Sequence, residues 1–333
     1  MAAASSPDIS VCVIGRNEAH NLPACAAALA ALASAGLAME AIFIDSASSD
    51  ASVAVAKANF GVVVELAASA ELNAGAARAV GTLKARGTWV LYLDGDMQLA
   101  PDFIPHLLEL VRGERDADGL AGRTLNVYPD GSSDAIVFAG NKAGQPCRAF
   151  GGAVLLRRET VLDVGNWAPN LYANEEAELY SRLLARAARV LWTESLMVRH
   201  VTAKFSAPNK LMGSLVPWGS HLGKKFYGAG QVTKLAWSGG HLWRFIQLKP
   251  LPYLMTVATT LALPVAAFRP TVALGLIAVP FLLISLKRGP KFAINCVCWT
   301  SQVFFGFARL NAAYWPEVQH VHEAPASGQA GHR

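Results

Sequence analysis

The chain has 333 residues, of which 53% are hydrophobic and only 16% are charged, so it is more apolar than a typical soluble protein. Its net charge of +5 conceals an uneven distribution, because no acidic residue lies between Glu194 and Glu317 while 13 lysines and arginines do. Long apolar runs inside that basic segment favour an anionic membrane over nucleic acid as its partner, and the spacing of the five cysteines excludes a disulfide framework or a zinc site.

The first 205 residues alternate short apolar runs with helical patterns, which predicts an α/β domain with a largely parallel sheet. Strands are predicted over residues 9–14, 41–44, 62–66 and 90–93. Helices are predicted over residues 21–35, 49–59, 73–85 and 101–112. The second of these helices has Ser49 or Asp50 as its expected N-cap.

Polar side chains follow three of the predicted strands at the point where each strand should end. These polar segments are residues 15–18, 45–50 and 94–96. Because the carboxyl ends of parallel strands meet at one edge of a sheet, the three segments predict a polar crevice there, which is where open α/β sheets bind ligands.

Asp94 and Asp96 end the fourth strand with only Gly95 between them. Side chains at i and i+2 of an extended backbone point to the same side, so the two carboxylates are expected to converge. Hard oxygen ligands suit Mg²⁺ or Mn²⁺, and these cations in turn suit a diphosphate. An ordinary Asp-Gly turn at the surface is the alternative interpretation.

Five short motifs resemble, in order, the pattern of family 2 inverting glycosyltransferases, which have the GT-A fold. They are IGRNE at residues 14–18, FIDSASSD at 43–50, GAARAVG at 75–81, LDGD at 93–96 and NEEAELYSR at 174–182. The resemblance covers about residues 8–203. It implies an enzyme that transfers a sugar from a nucleotide-sugar with inversion of configuration.

The resemblance also implies roles for the residues at matching positions. Glu18 and Asp45 would contact the base and the ribose of the nucleotide, and Arg78 and Asp94 would line the same nucleotide-sugar pocket. Asp96 would bind the Mn²⁺ or Mg²⁺ ion that bridges the diphosphate.

Glu176 falls at the position of the family's general base, with Glu175 as the second candidate; acids that merely favour a helix N-terminus are the alternative. His200 lies where the family often has a histidine near the metal or diphosphate, and a structural histidine is the alternative. Two departures affect the pattern. Ala79 replaces an asparagine, and the pair Glu175-Glu176 replaces Glu-Asp.

Three apolar runs free of charged residues follow, at residues 251–268, 271–286 and 292–308. Each is near the lower limit for a helix that spans about 30 Å of hydrocarbon. Only two residues separate the first two runs, which predicts a hairpin, and the cluster Lys287, Arg288 and Lys291 predicts that both its ends face the cytoplasm. The third run could span, re-enter or lie shallow. A buried core of a soluble domain is the alternative.

The segment before these runs is amphipathic, and the segment after them is polar. Apolar residues recur at helical spacing at Leu211, Leu215, Trp218, Leu222 and Phe226. Lysines lie among them at Lys210, Lys224 and Lys225, and the aromatic residues Trp237, Trp243 and Tyr253 follow. The pattern predicts a helix lying in the membrane interface, with an amphipathic core helix as the alternative. Residues after Glu317 are expected to be disordered.

The predicted organisation is a GT-A domain at residues 1–205, basic interfacial helices at 206–250, a membrane hairpin plus a third apolar segment at 251–310, and a polar tail at 311–333. The predicted function is transfer of a sugar from a nucleotide-diphosphate donor to a lipid-linked or growing-glycan acceptor, in cell-envelope or exopolysaccharide synthesis. Membrane lipid is an expected partner and nucleic acid is not, and the cytoplasmic face of the inner (plasma) membrane is the expected location.

Three other functions remain open on the sequence. They are a polyprenyl-phosphate sugar transferase, a nucleotidyltransferase, and a non-catalytic nucleotide-sugar-binding scaffold tethered to the membrane. The Gln-x-x-Arg-Trp element associated with processive synthases is absent from the sequence, which favours addition of a single sugar.

Overall fold

The computed structural model describes residues 6–136, 138, 140–203 and 221–324. The described residues fall into two compact units. The sheet unit takes those within Met1–Asn170, Leu183–Lys204 and Ala313–Arg333, and the helical unit takes those within Leu171–Arg182 and Phe205–Ala312.

The sheet unit is built on a mixed β-sheet. Its strands are β1 (Ile9–Gly15), β2 (Met39–Asp45), β3 (Val62–Leu66), β4 (Trp89–Asp94), β5 (Met97–Leu99), β6 (Gly119–Val127), β7 (Ser133–Ile136), β8 (Val154–Arg157), β9 (Val190–Val201) and β10 (Val318–Glu323). The strand order is β10-β3-β2-β1-β4-β8-β6-β9-β5, with β7 paired to β6. The first four strands pair in parallel, as the alternating sequence pattern predicts. Strands β5, β7, β8 and β10 add antiparallel pairings.

Helices connect these strands and make up most of the helical unit. They are α1 (Leu22–Ser34), α2 (Ser52–Asn59), α3 (Ala74–Lys84), α4 (Ile104–Val111), α5 (Arg158–Asp163), α6 (Glu175–Ala185), α7 (His221–Ser238), α8 (Leu242–Leu248), α9 (Pro250–Ala266), α10 (Pro270–Arg288) and α11 (Pro290–Ala308). A short 3₁₀ turn, Pro101–Phe103, precedes α4.

Strands β1 and β4 form the centre of the sheet and are buried along almost their whole length. Helix α1 packs on one face, where Leu22, Cys25 and Leu29 join a cluster with Val11 and Leu91. Helix α3 packs on the other face, where Gly81 lies so close to Cys12 that a Cβ would not fit. Two covered faces explain why these strands are continuous apolar runs without alternation.

The N-cap expected for α2 is wrong. The helix begins at Ser52 with Ala51 as its N-cap, not Ser49 or Asp50. Asp50 instead accepts hydrogen bonds from the backbone N–H of Ser52, at 2.9 Å, and from its hydroxyl. Aspartate is a residue type suited to an N-cap, but Asp50 lies one position before the N-cap, in the loop that precedes the helix.

The disorder expected after Glu317 is also wrong for residues 318–323. These residues form β10, which pairs antiparallel with β3 at the edge of the sheet. The backbone N–H of Ala67 donates to the carbonyl of Glu317, and that of Ala324 donates to Gly61, both at 2.8 Å. The strand satisfies main-chain groups of an exposed edge, which requires little apolar side-chain surface.

The helical unit carries the apolar runs of the sequence as α9, α10 and α11. Among the described residues, α10 is the one helix that is long and apolar enough to cross a membrane, with a mean hydropathy of 1.9. Helix α9 is apolar but shorter. The predicted interfacial positions Lys210, Leu211, Leu215 and Trp218 lie outside the described residues, and so do the side chains at positions 222–226.

Candidate active site

Two loops at the carboxyl edge of the sheet are tied together by hydrogen bonds. The backbone N–H of Asn17 donates to the Ser48 hydroxyl at 2.8 Å, and that of Glu18 donates to the Ser52 hydroxyl at 2.7 Å. Asn17 and Ala47 both have left-handed backbone angles, with φ of 60° and 57°. This region is unfavourable for alanine, so the hydrogen bonds hold a strained loop in one conformation.

Asp45 ends β2 and is almost completely buried. Its Oδ2 accepts a hydrogen bond from the backbone N–H of Ser48 at 2.9 Å. Its Oδ1 is buried and has no hydrogen-bond partner among the described residues. An unsatisfied buried acceptor costs about 1–3 kcal/mol, so this oxygen is well suited to accept a hydrogen bond from a ligand.

Arg78 and Asp94 form a buried ion pair beside these loops. Arg78 lies on α3 with 1% of its surface exposed, and its Nη2 is 2.8 Å from Asp94 Oδ1. The guanidinium also lies over the ring of Trp167, 5.1 Å from its centroid. A Cβ on Gly152 would come within 2.7 Å of both Arg78 Nη2 and Asp94 Oδ2. Only a glycine backbone can approach the pair this closely.

Asp96 and His200 form a second pair next to the first. The extended backbone assumed in the sequence analysis stops at Asp94, since Gly95 and Asp96 form a turn into β5. The i, i+2 argument for convergence therefore does not apply. Pairing of β5 with β9 places Met97 opposite His200, and His200 Nε2 lies 3.0 Å from Asp96 Oδ2.

Asn126 on β6 holds the other side of the His200 ring. Its Oδ1 lies 2.9 Å from His200 Nδ1, while its amide nitrogen donates to Asp134 at 2.8 Å. Both ring nitrogens of His200 therefore face acceptors, which favours the protonated ring. Burial lowers the pKa of His200, but its hydrogen bond to Asp96 and the nearby negative charges outweigh burial and raise that pKa above its usual value.

Glu18 completes a cluster of carboxyl groups with Asp94 and Asp96. Burial and the charges of Asp96, Asp94 and Asp50 raise the pKa of Glu18, against a hydrogen bond from Asn21 that lowers it. The side chain of Glu18 lies over the turn, since a Cβ on Gly95 would be 3.0 Å from Glu18 Cγ. This concentration of negative charge would be relieved by a divalent cation.

The residues around Asp96 fit a hard divalent cation. Asp96 Oδ1 is buried and has no hydrogen-bond partner in the described part of the chain. The His200 imidazole, now bonded to Asp96, could instead bind the cation. In the described part of the chain, no group of three or more His, Cys, Asp or Glu residues is arranged to hold a metal. The protein would therefore supply few ligands, as is typical of Mg²⁺ sites completed by substrate phosphates and water.

The two candidate bases lie at the start of α6. Glu175 is buried and Glu176 is half-buried, and both belong to the first turn of the helix, after Asn174 in a left-handed conformation. They are part of the helical unit, whereas the residues described above belong to the sheet unit. Their catalytic role stays a prediction.

Comparison with known proteins gives a family match for part of the sheet unit. Residues 10–134, fewer than half of the chain, match the model of glycosyl transferase family 2. No curated protein matches the chain.

Solved structures show that the chain has the GT-A fold. A mannosyltransferase, PcManGT from Pyrobaculum calidifontis in complex with GDP-Man and Mn²⁺, is 12% identical with a TM-score of 0.55, over 90% of this chain and 88% of that one. TarS 1-349 of S. aureus in complex with UDP-GlcNAc is 14% identical with a TM-score of 0.52, over 90% and 92%. GalNAc-T7 with UDP, GalNAc and Mn²⁺ is 15% identical with a TM-score of 0.52, over 76% and 52%. At these identities the likeness is one of fold.

Sequence reasoning missed some of the residues that shape the candidate site. Asn126 carried no local signal, because its contact with His200 depends on the pairing of two strands 74 residues apart in sequence. Ser48 and Ser52 lie in or beside a loop that was recognised as polar, but their bonds to Asn17 and Glu18 could not be read from it.

Proposed function

We propose that this protein is a membrane-attached inverting glycosyltransferase. It transfers a sugar from a nucleotide-diphosphate donor to a lipid-linked or growing-glycan acceptor at the cytoplasmic face of the inner (plasma) membrane. The observation that carries the proposal is the adjacent arrangement of Arg78–Asp94 and Asp96–His200 at the carboxyl edge of a family 2 domain.

The donor would bind along the edge formed by β1, β2 and β4. The free acceptor oxygen of Asp45 suits a ribose hydroxyl, and Glu18 lies on the neighbouring loop, where the family contacts the base. The buried guanidinium of Arg78 supplies positive charge to the nucleotide side of the site, and Asp94 keeps it oriented. GDP-mannose and UDP-GlcNAc in the similar structures support a nucleotide-sugar as donor.

Asp96 and His200 would hold a divalent cation at the diphosphate. When bound, Mn²⁺ or Mg²⁺ would neutralise the charge that develops on the leaving diphosphate. Asp96 would contribute its unpartnered Oδ1, and Asn126 would keep the His200 ring oriented through Nδ1. The Mn²⁺ present in two of the similar structures supports a metal here.

Glu176 would remove the proton from the acceptor hydroxyl, with Glu175 as the second candidate. A carboxylate that activates the acceptor opposite the leaving group gives a single displacement, and the configuration at the sugar carbon is inverted. Both glutamates lie on the first turn of α6.

The helical unit would attach the enzyme to the membrane and so present it to a lipid-linked acceptor. Helix α10 exposes apolar side chains along its length, among them Leu274, Leu282 and Leu286. Residues 195–316 include no aspartate or glutamate. Each basic residue near anionic lipid contributes about 1 kcal/mol to membrane binding.

A donor screen by thermal shift tests the proposal. Purified protein in detergent is melted with UDP- and GDP-sugars, with and without Mn²⁺, beside the Asp96→Asn variant. We expect one nucleotide class to stabilise the protein only when Mn²⁺ is present, and Asp96→Asn to lose that dependence. Asp116→Asn, in an exposed ion pair with Arg189, is the matched control and should behave as the unmodified chain. Failure of every nucleotide-sugar to stabilise the protein would contradict the proposal.

A further inference from the structure

The helical unit contains a cavity whose lining residues are separate from the candidate site residues described above. Helices α7, α9 and α11 enclose a volume of about 370 Å³, with Trp237, Val257, Leu261, Val303 and Phe307 among its walls. This volume lies within the range of small-molecule sites, about 300–1,000 Å³, and is far larger than one water molecule needs.

Direct contact between two helix backbones holds one wall of the cavity in place. A Cβ on Gly230 of α7 would collide with the carbonyl of Val303, and a Cβ on Gly306 of α11 would collide with the carbonyl of Tyr227. Next to this contact, the rings of Trp237 and Phe307 pack edge to face with their centroids 6.0 Å apart. This backbone contact fixes the spacing of α7 and α11 on that side of the cavity.

The hydroxyl groups around the cavity are already hydrogen-bonded to the protein. Thr233 Oγ1 donates to the carbonyl of Ala229 at 2.7 Å and lies 2.6 Å from the hydroxyl of Tyr253. Thr260 donates to the carbonyl of Thr256 at 2.8 Å. The lining therefore presents almost only carbon, which suits hydrocarbon and offers little to a sugar or nucleotide.

The cavity opens on an apolar surface that carries positive charge nearby. Trp237, Val257 and Leu261 are 66%, 55% and 58% exposed, and Val257 and Leu261 belong to the apolar helix α9. Lys234 Nζ lies 6.0 Å from the ring centroid of Phe307, so an ammonium group stands beside one wall. Since the whole segment lacks acidic residues, the charge near the opening favours an anionic head group.

We propose that this cavity binds the hydrocarbon chain of a phosphate-bearing lipid, with Lys234 near the phosphate. The inference rests on the membrane attachment in the proposed function, because a chain would enter from the bilayer through the apolar opening on α9. Carbon lining, an apolar opening and a nearby ammonium together match a long apolar chain with an anionic end.

Binding of a brominated alkyl phosphate tests the site. The full chain in detergent is titrated with dodecyl phosphate that carries two bromines in mid-chain, and tryptophan quenching is followed. The part of the signal that disappears in Trp237→Phe reports on the cavity. We expect saturable quenching, which Lys234→Gln weakens for the alkyl phosphate and leaves unchanged for the brominated alcohol.

Two matched valine substitutions separate the cavity from the general apolar surface. Val257→Phe fills the opening, whereas Val272→Phe adds the same bulk on α10, where the valine is 52% exposed and lines no part of the cavity. We expect Val257→Phe to weaken binding about tenfold, the loss expected when two methylenes are displaced, and Val272→Phe to have little effect. Equal binding by the two variants, or no quenching that depends on Trp237, would overturn the proposal.

Transfer kinetics identify the source of the lipid. A raised KM of Val257→Phe for a lipid-phosphate acceptor would assign the cavity to the acceptor chain, and an unchanged KM with weakened probe binding would assign it to a lipid of the bilayer. The metal-dependent donor stabilisation is measured on the same preparations. If the donor binds and the probe does not, only the proposed lipid site is wrong. If the probe binds and the donor does not, only the proposed transferase function is wrong.

Discussion

At the scale of single residues, the absence of a side chain at Gly152 matters as much as the charges it borders. Its backbone lies so close to both members of the Arg78–Asp94 pair that a Cβ at this position would collide with them. The arginine is almost completely buried between this glycine, Asp94 and Trp167. A guanidinium confined in this way is held in one orientation, so under the proposed function its charge would already be positioned before the nucleotide binds.

Substitution of Gly152 by alanine should displace this pair. The added Cβ would be 2.7 Å from both Arg78 Nη2 and Asp94 Oδ2, so one of the two must move. We expect the KM for the nucleotide-sugar to rise about tenfold, because a preorganised charge is lost. Gly61→Ala is the control, since the nearest atom to its Cβ would be 3.8 Å away. Equal KM values for the two variants would show that the pair does not position the donor.

Substitution of Glu176 by glutamine tests the assignment of the base. The amide keeps the shape of the side chain but cannot accept the proton of the acceptor hydroxyl. We expect kcat to fall about 10²- to 10⁴-fold with donor binding retained. Glu175→Gln, made in parallel, should have the smaller effect, and Glu114→Gln on the exposed surface should have none. Turnover that survives Glu176→Gln would remove this residue from the mechanism.

At the scale of secondary-structure elements, α6 is connected to α8 through a buried ionic cluster. Glu178 of α6 is completely buried and accepts hydrogen bonds from Arg182 Nε at 2.8 Å and Nη2 at 2.6 Å. Its Oε1 also lies 3.0 Å from Nε2 of His241, the residue that precedes α8. This cluster fixes the helix that carries the candidate bases, although Glu178 itself is turned away from solvent.

Loss of the Glu178 charge should destabilise the protein. Burial raises the pKa of Glu178, but the charge of Arg182 and the hydrogen bonds from His241 and Arg182 outweigh it and lower that pKa below 4.5. A group with a lowered folded-state pKa contributes stability above its unfolded-state pKa and loses it as the pH falls through the folded-state value.

Glu178→Gln should therefore cost about 3–5 kcal/mol at neutral pH, because it breaks the buried ion pair of Glu178 with Arg182. The difference in melting temperature from the unmodified chain should shrink as the pH is lowered below 4.5. Glu159→Gln, an exposed acid on α5, gives the control melts. A difference that stays constant across this pH range would contradict the role assigned to the charge.

Removal of β10 should weaken the sheet at β3. A chain ending after Glu317 lacks the strand, whereas a chain ending after Ala324 keeps it and serves as the control. We expect the shorter chain to melt roughly 5 °C lower and to associate through the exposed edge of β3. Differential scanning fluorimetry and light scattering measure both effects. Identical melts for the two chains would mean that β10 contributes nothing to stability.

Much of the sheet unit was predictable from its sequence because its signals are local. The four parallel strands are apolar runs at their predicted positions, and Asn73 caps α3 by accepting from the Ala76 N–H at 3.0 Å. Features that depend on distant pairing were not predictable. β10 offers only Val318 and Val321 as apolar residues, and its partner β3 lies about 250 residues earlier. The same limit explains why the contact of Asn126 with His200 was not foreseen.

At the scale of the whole molecule, the path of the chain through the sheet has a consequence for the membrane. Strands β9 and β10 belong to one sheet, and the residues between them include all the helices from α7 to α11. A hydrogen-bonded open sheet cannot straddle a bilayer, so both ends of this inserted segment lie in the same compartment. The number of times the segment crosses a bilayer is therefore even.

An even number of crossings means that α10 cannot be the single crossing of this segment. This holds even though α10 is the one helix of the described chain that is long and apolar enough to span a membrane. If α10 crosses, another part of residues 202–317 must return, and α9 is its immediate neighbour in sequence. A reporter placed before Ile9 and one placed after Glu323 must then face the same side, whatever the hairpin does between them. If the segment enters a membrane, the position of β10 in the sheet therefore requires the segment to return to the side on which it started.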